Sequence, residues 1–260
     1  MILWCDGAHD PAENMRRDAA LLRWTAVRGA GGPGRRREAV LRLFRFSPPG
    51  ITLGLSQVPE REIDLERCRS DGVPWASRPT GGRAIFHAEE WTYSLAAPLD
   101  DPDWGGTLSE TYARASRLVR ASLIRLGVPA ELAERRSAAT ASPRPGTAAC
   151  FAAAARHEIV LGGRKLVGSA QRRTARALLQ QGSVLLGPGH LRLPDYLAMP
   201  AERRRELRAI LEAGAAHAGE YLAPDAPLER WAEALMRELP RGTRRLDAAA
   251  GGFLWRAAFC

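Results

Sequence analysis

The sequence predicts an α+β protein. Extended segments come in blocks between a few amphipathic helical stretches, so the order does not read as a regular alternation of strand and helix. No self-similar period recurs, which sets aside solenoids and propellers. At 260 residues the chain is long enough to bury a full core without disulfide or metal staples.

Taken in order, Met15, Ala19, Leu22 and Ala26 share one face at helical spacing and predict a helix over residues 14–27. Residues 28–37 are rich in glycine and arginine and read as a loop. Val40, Arg42 and Phe44 alternate within a strand over 39–46, and the Pro48-Pro49-Gly50 turn leads to a second strand over 51–55. A short helix is expected over 64–70. Residues 73–78 lead into a glycine loop, and strands follow over 84–87 and 91–96. Thr107-Leu108-Ser109-Glu110 is a capping-box pattern. It opens a helix with Leu108, Tyr112, Ala115, Val119, Ser122, Leu123 and Leu126 on one face, stopped by Gly127. Residues 130–149, rich in alanine, arginine and proline, read as a long loop of the kind compact domains keep for function. Gly162-Gly163, between strands over 157–161 and 164–168, is a two-residue hairpin signal. Residues 172–177 read as a loop or helical turn, and 178–186 as a strand interrupted at Gly182. Helices over 201–213 and 225–239 come next. Leu228, Trp231, Leu235, Met236 and Leu239 form the core face of the second.

Composition narrows the function. The formal net charge is +9, and Lys165 is the one lysine in a chain that otherwise uses arginine. Such a charge suits acidic partners. No helix-turn-helix, zinc finger or interleaved basic and aromatic motif points to nucleic acid. No apolar run approaches the roughly 20 residues that cross a bilayer, and the first residues lack a signal-peptide pattern, so a cytoplasmic protein is expected. The four cysteines, Cys5, Cys68, Cys150 and Cys260, are far apart and form no C-x-x-C pair, so neither a metal site nor a redox motif is supported. Cys5 and Cys68 read as small buried hydrophobes, and Cys260 as a terminal, exposed thiol.

Cys150 differs from these in its sequence neighbours. The pair Cys150-Phe151 stands just ahead of the hairpin whose second strand carries Lys165 and then the small residues Gly168, Ser169 and Ala170. Upstream lies Arg78-Pro79-Thr80-Gly81-Gly82-Arg83, with His87 four residues beyond. A potential nucleophile, one lysine and two glycine-rich elements suggest a thiol enzyme that handles an acyl group. Each residue also has a bland reading: a structural thiol, a solvated lysine, an ordinary Gly-Gly turn, an ion-paired arginine, a core histidine.

These motifs resemble the biotin/lipoate protein ligase and transferase superfamily. The glycine loop with His87, the run Gly163-Arg164-Lys165-Leu166-Val167-Gly168-Ser169-Ala170-Gln171, the strand Leu179-Gln180-Gln181-Gly182-Ser183-Val184 and the helix beginning Asn14-Met15-Arg16-Arg17-Asp18 match it in order over roughly residues 10–190. Cys150-Phe151 resembles its cysteine-dependent octanoyltransferase branch. The resemblance implies a mixed sheet around an acyl pocket, in one catalytic domain over 1–260 with the C-terminal helices of 201–260 packed on it. It implies transfer of an octanoyl group from octanoyl acyl carrier protein to a lysine of a lipoyl domain, such as the glycine cleavage H protein, through an acyl-Cys150 intermediate. It implies no metal, no ATP and no other cofactor. Lys165 is then catalytic, aimed at the acyl carbonyl, while Arg78, Gly81, Gly82, His87, Gly168, Ser169 and Ala170 bind substrate. Two positions depart from the pattern: Ala88, where many relatives have aspartate, and Gln181, where many have histidine.

Three alternatives stand beside this reading. An ATP-dependent lipoate–protein ligase on the same fold would leave Cys150 without a task. An amidotransferase between lipoyl domains would differ in its acyl donor. A basic binding module without activity would bind nucleic acid or acyl carrier protein in a salt-dependent way.

Overall fold

The computed structural model describes residues 1–29, 38–133 and 157–247. The chain opens with β1 (Ile2–His9) and α1 (Pro11–Gly29), then β2 (Val40–Phe46) and β3 (Gly50–Leu53). Two short helices, α2 (Pro59–Glu62) and α3 (Leu65–Ser70), lead to β4 (Trp75–Ser77), β5 (Ile85–His87) and β6 (Glu90–Pro98). Next come α4 (Leu108–Arg125), β7 (Glu131–Leu132), β8 (Ile159–Leu161), β9 (Arg164–Arg173) and β10 (Ala177–Leu185). A 3-10 helix (Pro188–Tyr196), α5 (Ala201–Gly214), α6 (Leu228–Met236) and β11 (Arg244–Leu246) complete the described chain.

The α+β class is correct, and the sheets are mixed. Eight strands pair in the order β11-β1-β2-β6-β10-β9-β8-β7, and three more in the order β4-β3-β5. In the large sheet β11, β1 and β2 run parallel, whereas β2 through β7 pair antiparallel. One face carries Leu3, Leu43, Trp91 and Tyr93 against α4 and α6. There the Trp91 and Trp231 rings stack at 5.3 Å. The other face carries Ile2, Trp4, Val40 and Leu179 against Leu21, Leu22 and Trp24 of α1. Each large ring covered on both sides removes some 1.5–3 kcal/mol worth of apolar surface from water.

Several elements depart from the sequence expectation, each for a physical reason. No strand is expected over residues 2–9, yet Leu3 and Cys5 face one core and Ile2 and Trp4 the other, the continuous apolar signature of a strand buried on both faces. The break expected at Gly182 is absent. β10 runs through it, paired with Tyr93 and Ser169 on its two neighbours, and the position is glycine because a Cβ there would sit 2.4 Å from Cε1 of Tyr93. β9 continues to Arg173, so the loop expected from residue 172 shrinks to the turn before Ala177. Leu108, expected on the buried face of α4, is 55% exposed, although the capping box at Thr107 and Glu110 forms as read. α6 starts only after Pro227, whose ring disfavours helical backbone in the residue before it. There the carbonyl of Ala226 instead accepts from the Trp91 indole at 2.8 Å.

The buried face of α1 is also rotated from expectation. Asn14 and Asp18 are fully buried, while Ala19 and Ala26 are only half-buried. The cause lies opposite, on β2. Arg42 is 0% exposed and donates to Asp6 and Asp18 at 2.7 Å each and to the Asn14 side chain at 2.6 Å. A buried guanidinium stays folded only if its donors are met by charge and lone pairs. The polar residues of α1 therefore point inward.

Candidate functional site

The glycine loop lies between β4 and β5, held from inside by Arg78. This side chain is 4% exposed and donates through Nη2 to the carbonyls of Gly81 at 2.8 Å and Arg83 at 2.7 Å. Nε adds a bond to Gly81 and Nη1 one to Thr52. Gly82 has φ +96°, and a Cβ on it would come within 2.6 Å of Arg78 Nη2, so the loop needs glycine there for both conformation and space. Gly81, by contrast, meets nothing and faces open space.

His87 leaves the loop along β5. Its Nδ1 lies 2.6 Å from Glu90 Oε1 and its Nε2 2.7 Å from the Thr52 hydroxyl, while the ring stacks on Phe46 at 3.8 Å. With Nδ1 donating to Glu90, Nε2 accepts from Thr52, and Thr52 accepts from Arg78 at 3.3 Å. Thr92 and Ser183 also donate to Glu90 Oε1. Both ring nitrogens of His87 are thus engaged with protein groups.

These residues meet the small-residue run of β9 around a narrow slot of about 30 Å³. Gly168, Ser169, Ala170, Gly182 and Ser183 form its sheet side, and Met15, Phe46, Ile85, Arg78 and His87 contribute the rest of the wall. A second, more open cleft of about 500 Å³ runs past Gly81, Gly82, Leu108, Tyr112, His157 and Glu158. Slot and cleft share Ser169 and Ala170. The cleft falls in the range typical of small-molecule sites, roughly 300–1,000 Å³, whereas the slot is closed down to room for about one or two waters. The Ser169 hydroxyl lies 3.1 Å from the Tyr93 hydroxyl, which also accepts from Gln180 at 3.2 Å.

The hairpin forms as read, with positive φ at both Gly162 and Gly163. It sets Lys165 into the interior, 3% exposed, with Nζ donating to Glu158 Oε1 at 2.7 Å. Glu158 lines the cleft, and His157 before it has φ +69°, an uncommon backbone state for a side chain of this kind. Cys150 and Phe151 lie outside the described residues, as does Cys260. Cys5 and Cys68 are buried free thiols, and burial pushes Cys5 up to about 11. Among the described residues no cluster could hold a metal ion, and no helix is long and apolar enough to cross a membrane.

Of the expected site residues, the structure brings Arg78, His87, Gly168, Ser169 and Ala170 to one slot, with Gly81 and Gly82 on the adjoining cleft. Lys165 lies behind the cleft wall on its Glu158 partner. Sequence reasoning missed Gln181 and Glu158 as site residues. The only sequence signal for Gln181 is its departure from the family pattern, and Glu158 gives none beyond its nearness to the hairpin.

A mixed α+β scaffold with a small-walled slot opening on a cleft is the architecture of a lipoate-protein ligase catalytic domain. Residues 10–240 match the lipoyl protein ligase A/B catalytic domain, and the chain belongs to that family. Among curated relatives, the octanoyltransferase LipM of Moorella thermoacetica is 40% identical over 200 residues, covering 77% of this chain and 70% of its own. The octanoyltransferase LipM of Bacillus subtilis is 33% identical over 204 residues, covering 77% and 70%. Among solved structures, a bipartite lipoate protein ligase from Thermoplasma acidophilum superposes with a TM-score of 0.67 at 19% identity, over 99% of this chain and 91% of that one. Lipoate-protein ligase A bound with ATP gives 0.65 at 18% identity, over 100% and 95%. At these identities the structural likeness establishes the fold.

Proposed function

We propose that this octanoyltransferase of lipoate biosynthesis works as a single catalytic domain in the cytoplasm and carries its acyl group on Cys150. The donor is octanoyl acyl carrier protein and the acceptor a lysine of a lipoyl domain, such as the glycine cleavage H protein. The observation that carries this reading is the slot: small and apolar walls, closed on the sheet side by Gly168, Ala170 and Gly182, and joined to an open cleft at Ser169 and Ala170. The slot as it stands is too narrow for an octanoyl tail, so its side chains part to admit one; six methylenes buried there at ~0.8 kcal/mol each would then contribute roughly 5 kcal/mol before the costs of ordering and opening.

In the first half-reaction the Cys150 thiolate attacks the thioester carbonyl. The carrier leaves as a thiolate and picks up the proton that Cys150 released on ionising, and Cys150 holds the octanoyl group as a thioester. In the second, the neutral amine of the acceptor lysine attacks that thioester. An amide forms, the amine loses a proton, and Cys150 leaves as thiolate. Both thioesters are already activated, so no nucleotide enters. With its ammonium turned from Glu158 toward the cleft, Lys165 orients the carbonyl and opposes the charge that grows on its oxygen. Gly81, with no obstruction above it, lets the backbone approach the thioester, and Arg78 keeps the loop in that shape.

Intact-protein mass spectrometry with octanoyl acyl carrier protein and no ATP tests this. The expected result is one octanoyl adduct, lost in Cys150→Ala and passed to added H protein. Acceptor modification only with ATP and free octanoate or lipoate would replace the transferase reading with a ligase.

A further inference from the structure

A chain of buried hydrogen bonds links the core of the protein to the glycine loop. Arg42 on β2 donates to Asp18 on α1 at 2.7 Å. Asp18 also accepts from Ser94 at 2.7 Å and, on its other oxygen, from Nε2 of Gln181 at 2.5 Å. The Gln181 carbonyl oxygen accepts from the Thr80 hydroxyl at 2.6 Å. Asp18, Arg42, Thr80 and Ser94 are 0% exposed, and Gln181 is 6% exposed. Gln181 stands on β10 and lines the slot, and Thr80 belongs to the glycine loop beside Gly81. The last bond therefore ties the sheet side of the slot to the loop side.

The chemistry of the amide fixes its orientation. A carboxylate that already accepts from Arg42 can only be met by the NH₂ end of Gln181, so the oxygen end must face Thr80. An amide has no proton to gain or lose in the working range, so the tie does not depend on pH. A neutral imidazole could make the same two bonds, donating to Asp18 and accepting from Thr80, but only until it took up a second proton and lost its acceptor. The other ionisable groups facing this position are Arg42 behind Asp18, and Arg78 and His87 elsewhere in the slot wall.

We propose that Gln181 is a positioning residue, which through Thr80 holds the glycine loop at a fixed height over the slot, independently of pH. This rests on the acyl-slot reading above. Loss of the tie lets the loop ride away from the thioester, weakening donor binding more than it slows the bound complex.

The test is steady-state transfer by the full chain from octanoyl acyl carrier protein to a lipoyl domain, with the donor varied between pH 6 and 8.5. Gln181→Leu is expected to raise the donor KM about tenfold, with kcat changed less than threefold, in line with one lost buried hydrogen bond. Thr80→Val, which keeps the Gln181–Asp18 bond, should give the same effect, and the double variant should be no worse than either single one. If Gln181→Leu fails to fold, Thr80→Val carries the test. Gln181→His should approach wild-type KM at pH 8.5 and lose it toward pH 6, measured as the ratio to wild type at each pH so that the pH dependence common to both chains cancels. Unchanged KM in the two single variants, or additive effects in the double, would overturn the proposal. An inactive wild-type chain would instead overturn the acyl-transfer reading beneath it.

Discussion

The one lysine of this chain ends on a glutamate. Lys165 Nζ lies 2.7 Å from Glu158 Oε1, with both side chains almost wholly out of solvent. Such a pair contributes little net stability, but removing one partner leaves the other charge buried with less to offset it, at a cost of up to about 3–5 kcal/mol.

That asymmetry separates stability from chemistry at this site. Lys165→Met should lower unfolding free energy by several kcal/mol, of the order of 3, and abolish octanoyl transfer. Lys165→Met combined with Glu158→Gln should recover most of the stability and none of the activity. Urea denaturation alongside the transfer assay reads both. Recovered activity in the double variant would remove Lys165 from the chemistry.

Thiol reactivity should sort the cysteines. Cys5 is 5% exposed with its thiol pushed up to about 11 by burial, and Cys68, 2% exposed, is likewise raised. Neither offers thiolate at neutral pH. Iodoacetamide on the native protein at pH 7.5, with peptide mass spectrometry as the readout, is expected to spare both and to label Cys150. Prior loading with octanoyl acyl carrier protein should block the Cys150 label.

His190, on the 3-10 helix, gives the fold an acid-sensitive point. It is 5% exposed, and burial lowers its pKa to about 4 from the ordinary 6.5. The unfolded chain therefore binds this proton more readily than the folded one between those values. Stability should be full above about pH 6.5 and fall as pH drops toward 4, by on the order of 3 kcal/mol from this residue. In His190→Phe that component should vanish, flattening the difference between urea unfolding curves at pH 7 and pH 4.5.

Gly54 supports the glycine loop from below. A Cβ there would lie 2.1 Å from the Gly82 carbonyl oxygen, a backbone atom that cannot swing aside. Gly54→Ala is expected to destabilise by about 1–3 kcal/mol and to slow transfer at least tenfold, whereas alanine at the unobstructed Gly81 leaves stability within about 1 kcal/mol. Thermal melts of the two variants side by side decide this.

The excess positive charge predicts a kinetic signature. If acidic partners dock on this +9 chain, kcat/KM should fall as salt rises from 50 to 300 mM while kcat stays level.

The periodic elements were legible because their chemistry is local. Thr107 and Glu110 announce the start of α4, and Gly162-Gly163 announces the hairpin. What the sequence concealed was decided between elements. Asn14 and Asp18 look like a solvated face until Arg42, buried on another strand, is set against them. Gly182 looks like a break until Tyr93 fills the space beside it. The site was similarly split. Arg78, His87 and the Gly168–Ala170 run were visible as motifs, and they converge. Gln181 and Glu158 act through partners far away in sequence or behind a wall, which no spacing rule reports.

Slot and cleft share the short stretch at Ser169 and Ala170. A tail lodged in the slot and a carrier arm lying along the cleft must therefore pass through the same doorway. If both proposed protein partners use it, they cannot stand in it together, and the first would depart before the second arrives. In the interval the cargo needs a place to wait, out of water and tethered by a bond that can be undone. On the proposed reading, the shared stretch would make the two partners form a queue, and a covalent stopover is chemistry that suits such a queue.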